Sequence, residues 1–242
     1  MSDREPTDRY LSPAEAKLFY DCLGSRQDWQ GFFENPAIKE MVAHAAFDSA
    51  HWVFEFGCGT GALASRLLQH HLPADARYVG FDISATMVSL AQKRLKPWTE
   101  RTRVYLSDGS PRIPERDHSF DRFISTYVFD LLPADFIDQL LQEAGRLLVP
   151  EGKLCLASMT FGATPLSRAV CCGWQRVWQF RPGIVGGCRP ILLSGYLSSE
   201  SRNVDHGTKV TSWGITSEVL VASGRYEEWF KRASPARLQA VE

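Results

Sequence analysis

Three acids and three glycines between residues 55 and 109 are the parts of this sequence best suited to organise a ligand. The glycines stand in Phe56-Gly57-Cys58-Gly59-Thr60-Gly61. At that spacing the backbone is clear of Cβ atoms, so a ligand can come close to the chain. Glu55 lies two residues before the first glycine. A carboxylate there would repel a pyrophosphate but would suit a ligand carrying an ammonium and a sulfonium charge. Asp82, about 20 residues past the loop, stands where an acid accepts from both hydroxyls of a ribose. Asp108, in Ser107-Asp108-Gly109, would accept from an adenine amino group, with Gly109 allowing close approach. No Gly-Lys-Ser/Thr ending follows the glycines, which rules out a triphosphate P-loop. Gly57, Gly59 and Ala62 still fit the relaxed dinucleotide fingerprint.

These residues act together only if the chain gathers them at one edge. The apolar run His51 to Phe56 reads as a strand and is followed by a helix, Ala62 to His71. Arg77 to Phe81 is a second strand, ending at Asp82, and Ala85 to Leu95 is its helix. Thr102 to Leu106 and Phe120 to Thr126 are further strands, Ala134 to Leu147 a helix. A turn at Pro150-Glu151-Gly152 leads to the strand Lys153 to Met159. Strands alternating with helices mean β-α-β units and a parallel sheet, whose carboxyl edge is where such folds bind ligands. Lys209 to Trp213 and Glu218 to Ala222 are extended and predict an antiparallel pair at the sheet edge.

Before this core, Ser12-Pro13-Ala14-Glu15 opens one helix and Asn35-Pro36 a second, running to Ala46. An aromatic segment, Asp28 to Phe33, lies between them. The organisation expected is a tail and helical cap over 1–50, a core over 51–224 interrupted by a helical insert over 161–190, a short helix from Ile191 to Ser198, and a C-terminal tail over 225–242. In the insert, Leu166, Val170, Trp174, Val177 and Trp178 form an apolar stripe, with Arg168, Arg176 and Arg181 mostly off it. The stripe predicts a lid over the pocket. The alternative is an interfacial helix with Trp at the headgroup level, a peripheral membrane contact through 166–181.

The chain resembles the class I S-adenosylmethionine-dependent methyltransferases, in the group similar to the quinone-biosynthesis C-methyltransferases (methyltransferase type 11). The resemblance is carried by Glu55 to Gly61, by Gly80-Phe81-Asp82-Ile83-Ser84 with Met87 following, and by Ser107-Asp108-Gly109. It continues in Ser119-Phe120-Asp121-Arg122-Phe123 and in Glu143 to Gly152, where Pro150-Glu151-Gly152 departs from the usual Pro-Gly-Gly turn. It spans Trp52 to Ser158 strongly. It implies an α/β, Rossmann-like, mainly parallel seven-stranded sheet with an antiparallel edge hairpin, helices on both faces and an N-terminal helical cap. It also implies that Gly57, Gly59 and Gly61, with Cys58 as a small residue among them, cradle the methionine part of S-adenosylmethionine. Glu55 would lie near its amino group and Asp82 on the ribose hydroxyls. Ile83 and Met87 would flank the adenine, Asp108 would reach the adenine amino group beside Gly109, and Ser125 and Thr126 would face the reactive methyl. S-adenosylhomocysteine would leave, and no metal is implied.

Tyr20, Trp29, Tyr127 and Trp174 are the expected wall of an acceptor pocket. Their aromatic character points to a small apolar or aromatic acceptor: a quinone-like ring, a lipid headgroup or a thiol. The sequence names no catalytic base, and none of His44, His51, His70, His71, His118 and His206 sits in a motif. Asp121 is read as structural, opening its strand. Adjacent helical Cys171 and Cys172 point about 100° apart and cannot both face one ion.

Composition narrows the rest. The 242 residues carry 27 Lys+Arg against 28 Asp+Glu, a net charge of −1. That gives no global field for polyanions, so no nucleic-acid partner is expected. Ser125-Thr126-Tyr127-Val128 also stands where nucleic-acid methylases carry an Asn-Pro-Pro-Tyr-type motif. No apolar run approaches the roughly 18–20 residues of a membrane span, and the N-terminal segment lacks the apolar stretch of a secretory signal. The six cysteines form no Cys-x-x-Cys pair, which suggests a reducing, cytoplasmic setting. Two rival functions use the same loop. A nicotinamide-dependent oxidoreductase gives no role to Glu55 or Asp108 and lacks a Tyr-x-x-x-Lys pair. A non-catalytic S-adenosylmethionine-binding module is excluded by no motif. The oligomeric state is not readable from the sequence.

Overall fold

The computed structural model describes residues 10–197 and 203–223. The tails expected over 1–9 and 225–242 lie outside the described residues, as does Ser198.

Five strands form the parallel part of the sheet: β1 (Trp52–Phe56), β2 (Arg77–Asp82), β3 (Thr102–Leu106), β4 (Phe120–Thr126) and β5 (Leu148–Thr160). β6 (Asn203–Ser212) and β7 (Ile215–Ser223) complete a seven-stranded sheet in the order β3-β2-β1-β4-β5-β7-β6, with β7 antiparallel to both neighbours. β1 is buried at all but its first residue, as a strand covered on both faces must be. The chain leaves β1 toward β2 and β3, then returns to β4 on the other side of β1. The carboxyl ends at that reversal frame the crevice in which open α/β sheets hold ligands.

Helices cover both faces. α2 (Gly31–His44), α3 (Ala62–His70) and α4 (Ala85–Arg94) bury Met41, Leu67 and Ala91 on one side. α5 (Ala134–Leu147) buries Ile137, Leu140, Leu141 and Ala144 on the other. Its apolar residues recur every three or four positions, the spacing of one helical face. α1 (Pro13–Leu23) belongs to the cap and opens as the sequence predicts. Glu15 accepts from the Ser12 N–H at 2.8 Å and returns its own N–H to Ser12 Oγ at 3.3 Å, a capping box with Pro13 in the first turn.

α2 corrects the expected start at Asn35. It begins at Gly31, takes in Phe32 and Phe33, and carries Pro36 inside it. A proline has no N–H for the carbonyl four residues back. Ser212 Oγ supplies the missing donor to Phe32 O at 3.2 Å. The buried Arg122 guanidinium donates from Nε to Ala45 O at 2.7 Å and from Nη2 to Ala46 O at 2.5 Å, fixing the end of α2 against β4. Asp121 has the structural part assigned to it, accepting from the His51 and Trp52 N–H groups at 2.7 and 2.6 Å.

Three other boundaries differ. The expected turn at Pro150-Glu151-Gly152 is a bulge inside β5, where the register steps from Phe120↔Leu148 to Arg122↔Lys153. The edge strands are longer than expected, and Trp213 lies in the turn, not in a strand. Ser212 pairs with Ile215, and Trp213 and Gly214 both have positive φ, 53° and 78°, as a tight two-residue hairpin requires. The short helix, α7, is confined to Leu193–Tyr196.

The insert folds as α6 (Pro165–Phe180), with its packed face rotated from the predicted stripe: Val170, Trp174 and Trp178 lie half-buried on it. Ser167 and Cys171 are buried, while Leu166 and Val177 are exposed. Trp174 Nε1 donates to Cys188 O at 2.8 Å and Trp178 Nε1 to Gly187 O at 3.0 Å. The indole N–H groups need acceptors, and those acceptors turn the helix.

Candidate active site

A cavity of ≈ 720 Å³ lies over the carboxyl ends of β1, β2 and β4 and under α1, within the size range of small-molecule sites. Of the residues expected to bind a ligand, it gathers Gly57, Gly59, Asp82, Ile83, Met87, Gly109 and Thr126. Phe56, Phe81 and the cap residue Tyr20 also line it.

The glycine loop is shaped by backbone need at two positions. Gly57 has φ +77°, and a Cβ there would lie 2.2 Å from Val128 Cγ2. Gly59 has φ +52°, yet a Cβ there would meet no heavy atom within 4 Å. The space beside Gly59 is therefore an open cradle. Gly61 faces away from the cavity, where a Cβ would press on Ala91 at 3.1 Å; it lets α3 approach α4.

Asp82 stands at the lip of the cradle. Its Oδ2 accepts from the Gly59 N–H at 2.8 Å and its Oδ1 from the Ser84 N–H at 2.9 Å. Burial raises its carboxyl above the ordinary value, and those two amides act in the opposite sense. α1 reaches the same turn: Asp21 accepts from Ser84 Oγ at 2.6 Å and from the Thr86 N–H at 3.1 Å.

Six expected site residues stand elsewhere. Glu55 lies beneath the loop, 1% exposed, accepting from Tyr78 Oη at 2.6 Å. Burial first, and Asp82 in part, push its carboxyl to about 8. Side chains alternate along a strand: Phe54 and Phe56 face α5, so Glu55 points to the opposite layer. Asp108 is exposed and outside the main cavity; its Oδ1 accepts from the Ser110 N–H at 2.8 Å, a local turn contact. Ser125 Oγ donates to Phe56 O at 3.0 Å, joining two strand ends. Cys58 is buried, with its thiol raised far above the ordinary value by burial. Trp29 is 78% exposed and lines neither cavity. Gly61 is the sixth.

Behind the main cavity is a smaller one of ≈ 200 Å³, with Tyr20, Gln27, Tyr127 and Gly186 lining both. Tyr20, Tyr127 and Trp174 of the expected acceptor wall meet here. Tyr127 holds a left-handed backbone, φ 55°, an unfavourable state for a bulky residue. Its hydroxyl and Ser217 Oγ are 2.8 Å apart.

Two acids missing from the sequence reading face this inner cavity, Glu34 and Asp130. Asp130 is 1% exposed, and neither carboxylate oxygen has a hydrogen-bond partner. Burial pushes Asp130 to about 7; burial, then Asp130 and Asp28, push Glu34 to about 8. The signal for Asp130 was its place in Val128-Phe129-Asp130-Leu131-Leu132, an acid inside an apolar run. Away from both cavities, Glu40, His44 and His206 bring one ligand atom each within 4.8 Å of one another.

The model of a methyltransferase domain matches residues 53–152, the stretch that carries every motif lining the cradle. Over this stretch, about two-fifths of its length, the chain is similar to the S-adenosylmethionine-dependent methyltransferases. Among curated proteins similar to this chain are two demethylmenaquinone methyltransferases. That of Lactobacillus johnsonii is 26% identical over 162 residues, covering 66% of this chain and 60% of the relative. That of Lactiplantibacillus plantarum is 30% identical over 159 residues, covering 65% and 60%. The chain thus spans about three-fifths of the length of these relatives. Among solved structures, the cyclopropane synthase MmaA2 of Mycobacterium tuberculosis shares the fold, with TM-score 0.62, 15% identity and coverage of 88% of this chain and 98% of that one.

Proposed function

We propose that this protein transfers a methyl group from S-adenosylmethionine to a small apolar or aromatic molecule. The observation that carries the reading is the open cradle at Gly59 beside Asp82, joined through Tyr20 and Tyr127 to a second, aromatic-walled cavity. A donor chamber and an acceptor chamber sharing one wall are what methyl transfer needs.

The residues present fit the cofactor. Gly57 and Gly59 would take its methionine part, Asp82 its ribose hydroxyls, and Ile83, Met87 and Gly109 its adenine; Thr126 would lie toward the acceptor side. The bound sulfonium supplies an intrinsically activated methyl group. What the chain must add is alignment of the acceptor and exclusion of water. The cap over 10–50 and α6 do both in this reading: Tyr20 belongs to the wall between chambers, and Trp174 closes the inner one. The names of the two relatives support a ring-shaped acceptor. The chain's near-neutral charge supports a small molecule over a nucleic acid. In domain terms the core over 51–224 binds the donor, and the cap with the 161–190 insert makes the lid.

The outer face of α6 supports a second reading for that helix. Leu166 is 69% and Phe180 84% exposed, and residues 161–199 hold four arginines without one acid. A lid that also rests on an anionic lipid surface fits both faces. Among the described residues no helix is long and apolar enough to cross a membrane.

The test is transfer of label from radiolabelled S-adenosylmethionine into a fractionated cell extract, with Asp82→Ala as control. Label appearing only with the intact protein supports the reading. Failure of the wild type to bind the cofactor sinks it, and binding without transfer to any fraction favours the binding-module alternative.

A further inference from the structure

We propose that the inner cavity is a subsite for an amine bearing an aromatic or apolar group, held as a cation between Glu34 and Asp130 and methylated on nitrogen once Asp130 has taken its proton. The inference rests on the methyl-transfer reading and names its acceptor class.

The carboxylate of Asp130 is buried on the segment Phe129–Leu131 directly after β4, and both of its oxygens lack a partner. Glu34 reaches the same cavity from α2. The backbone N–H groups of Asp130 and Met159 offset only part of the burial cost of Asp130, and two acids in one small chamber add mutual repulsion. Arg189 is the cation that acts on Asp130. Its guanidinium, however, donates to Leu132 O at 2.8 Å and lies over the Tyr10 ring at 5.1 Å, forming no ion pair with Asp130 among the described residues. The other titratable groups around the acids, Tyr20, Tyr127 and Cys188, bring no positive charge.

The walls suit a cation as well. Tyr20, Phe33, Tyr127 and Trp174 line the cavity, and aromatic faces attract ammonium groups. A volume of ≈ 200 Å³ is enough for one ring, since a cavity of about 150 Å³ admits benzene. A neutral ring or thiol gives the two acids no charge to pair with, so they stay protonated beside it. A cationic amine satisfies the acids and the aromatic walls at once.

The step balances. The ammonium nitrogen gives one proton to the Asp130 carboxylate, and the freed lone pair forms the N–CH3 bond. The C–S bond of the sulfonium donor breaks with its electron pair passing to sulfur, leaving a neutral thioether. Positive charge thus moves from sulfur to nitrogen, toward Glu34, which remains to hold the product cation. Interactions that strengthen as charge moves favour the transition state over the ground state.

The experiment uses the full chain and two probes of one shape, benzyltrimethylammonium and its neutral isostere neopentylbenzene. Binding of each is followed by tryptophan emission, and S-adenosylmethionine binding is measured alongside by calorimetry. The cation should bind about 10-fold tighter than the neutral probe, the scale of a desolvated cation–aromatic contact. Glu34→Gln and Asp130→Asn should each erase most of that preference while cofactor affinity holds, which also shows that the variants fold. Equal binding of the two probes, or a preference that survives in both variants, overturns the amine inference while leaving the cofactor reading intact. Absence of cofactor binding in the wild type overturns the reading beneath it.

Discussion

Asp28 Oδ1 accepts a hydrogen bond from Thr60 Oγ1 at 2.6 Å, so the segment before α2 is joined directly to the glycine loop. Arg94 of α4 closes the arrangement, donating to Asp28 Oδ2 at 2.5 Å and to Thr60 O at 3.1 Å. The cap is therefore fastened to the loop it covers, and cap closure and loop shape depend on each other.

Asp28→Ala should loosen that fastening without unfolding the sheet. The contact is partly exposed, so the loss of stability should be small. We expect weaker cofactor binding by about 10-fold, the order of one charge-assisted hydrogen bond, together with faster hydrogen exchange in 10–30. Unchanged exchange there would show that the cap is held by other contacts.

Gly57 and Gly59 should respond differently to alanine. At Gly57 the new Cβ meets Val128 at 2.2 Å in a left-handed backbone, and we expect a loss of stability on the order of 2–4 kcal/mol. At Gly59 the protein leaves room, so only the backbone cost of about 1 kcal/mol applies. Cofactor affinity should fall by far more than stability there. Thermal unfolding and calorimetry on the same two variants separate the outcomes.

Raised acids set a pH trend. Asp130 and Glu34 keep their protons in the folded state up to about 7 and about 8, while the unfolded chain loses them near pH 4. Between those values the folded protein binds more protons, so stability falls as pH rises. Asp130→Asn should remove part of the decline, gaining roughly 2 kcal/mol or more over wild type at pH 8 at about 1.4 kcal/mol per pKa unit, and nothing near pH 4. Parallel melting curves from pH 4 to 8 check this. A wild-type curve flat over that range would mean the acids are hydrated.

Thiol chemistry should sort the cysteines. Cys22 and Cys172 are exposed, Cys188 is intermediate, and Cys58, Cys155 and Cys171 are buried. An aromatic disulfide reagent should label Cys22 and Cys172 within minutes. Cys58 should react only on unfolding, because burial raises its thiol far above the ordinary value. Rapid labelling of Cys58 would mean that the glycine loop opens in the native protein.

The strand-and-helix order was legible because each element from Trp52 to Leu147 begins and ends on strong signals, such as Gly57 after β1 or Ser84 capping α4. That Asp82, Gly59 and Met87 line one cavity was legible too, because they take their place from where the strands stop. Period-two alternation hid Glu55, since a linear motif does not say which side of the sheet a strand residue faces. Asp108 closed its own turn, a local contact that competes with any ligand. Trp29 read as a pocket residue by type alone. Asp130 and Glu34 stayed hidden for a different reason: their environment is built from α1, α2, α6 and the segment before α7, brought together only by the tertiary fold. Pro36 misled because it reads as a helix start, and the donor that lets it sit inside α2 comes from Ser212.

Tyr127 stands on the motif-bearing core, but its hydroxyl is paired with Ser217 of β7, on the far side of the 161–190 insert. The main cavity is drawn mainly from the contiguous block 56–136, whereas its wall toward the inner cavity, and the inner cavity itself, borrow from both flanks. Under the proposed function, acceptor choice is in this sense a separable trait: changes in the flanks would retune what is methylated while leaving the block that lines the main cavity untouched.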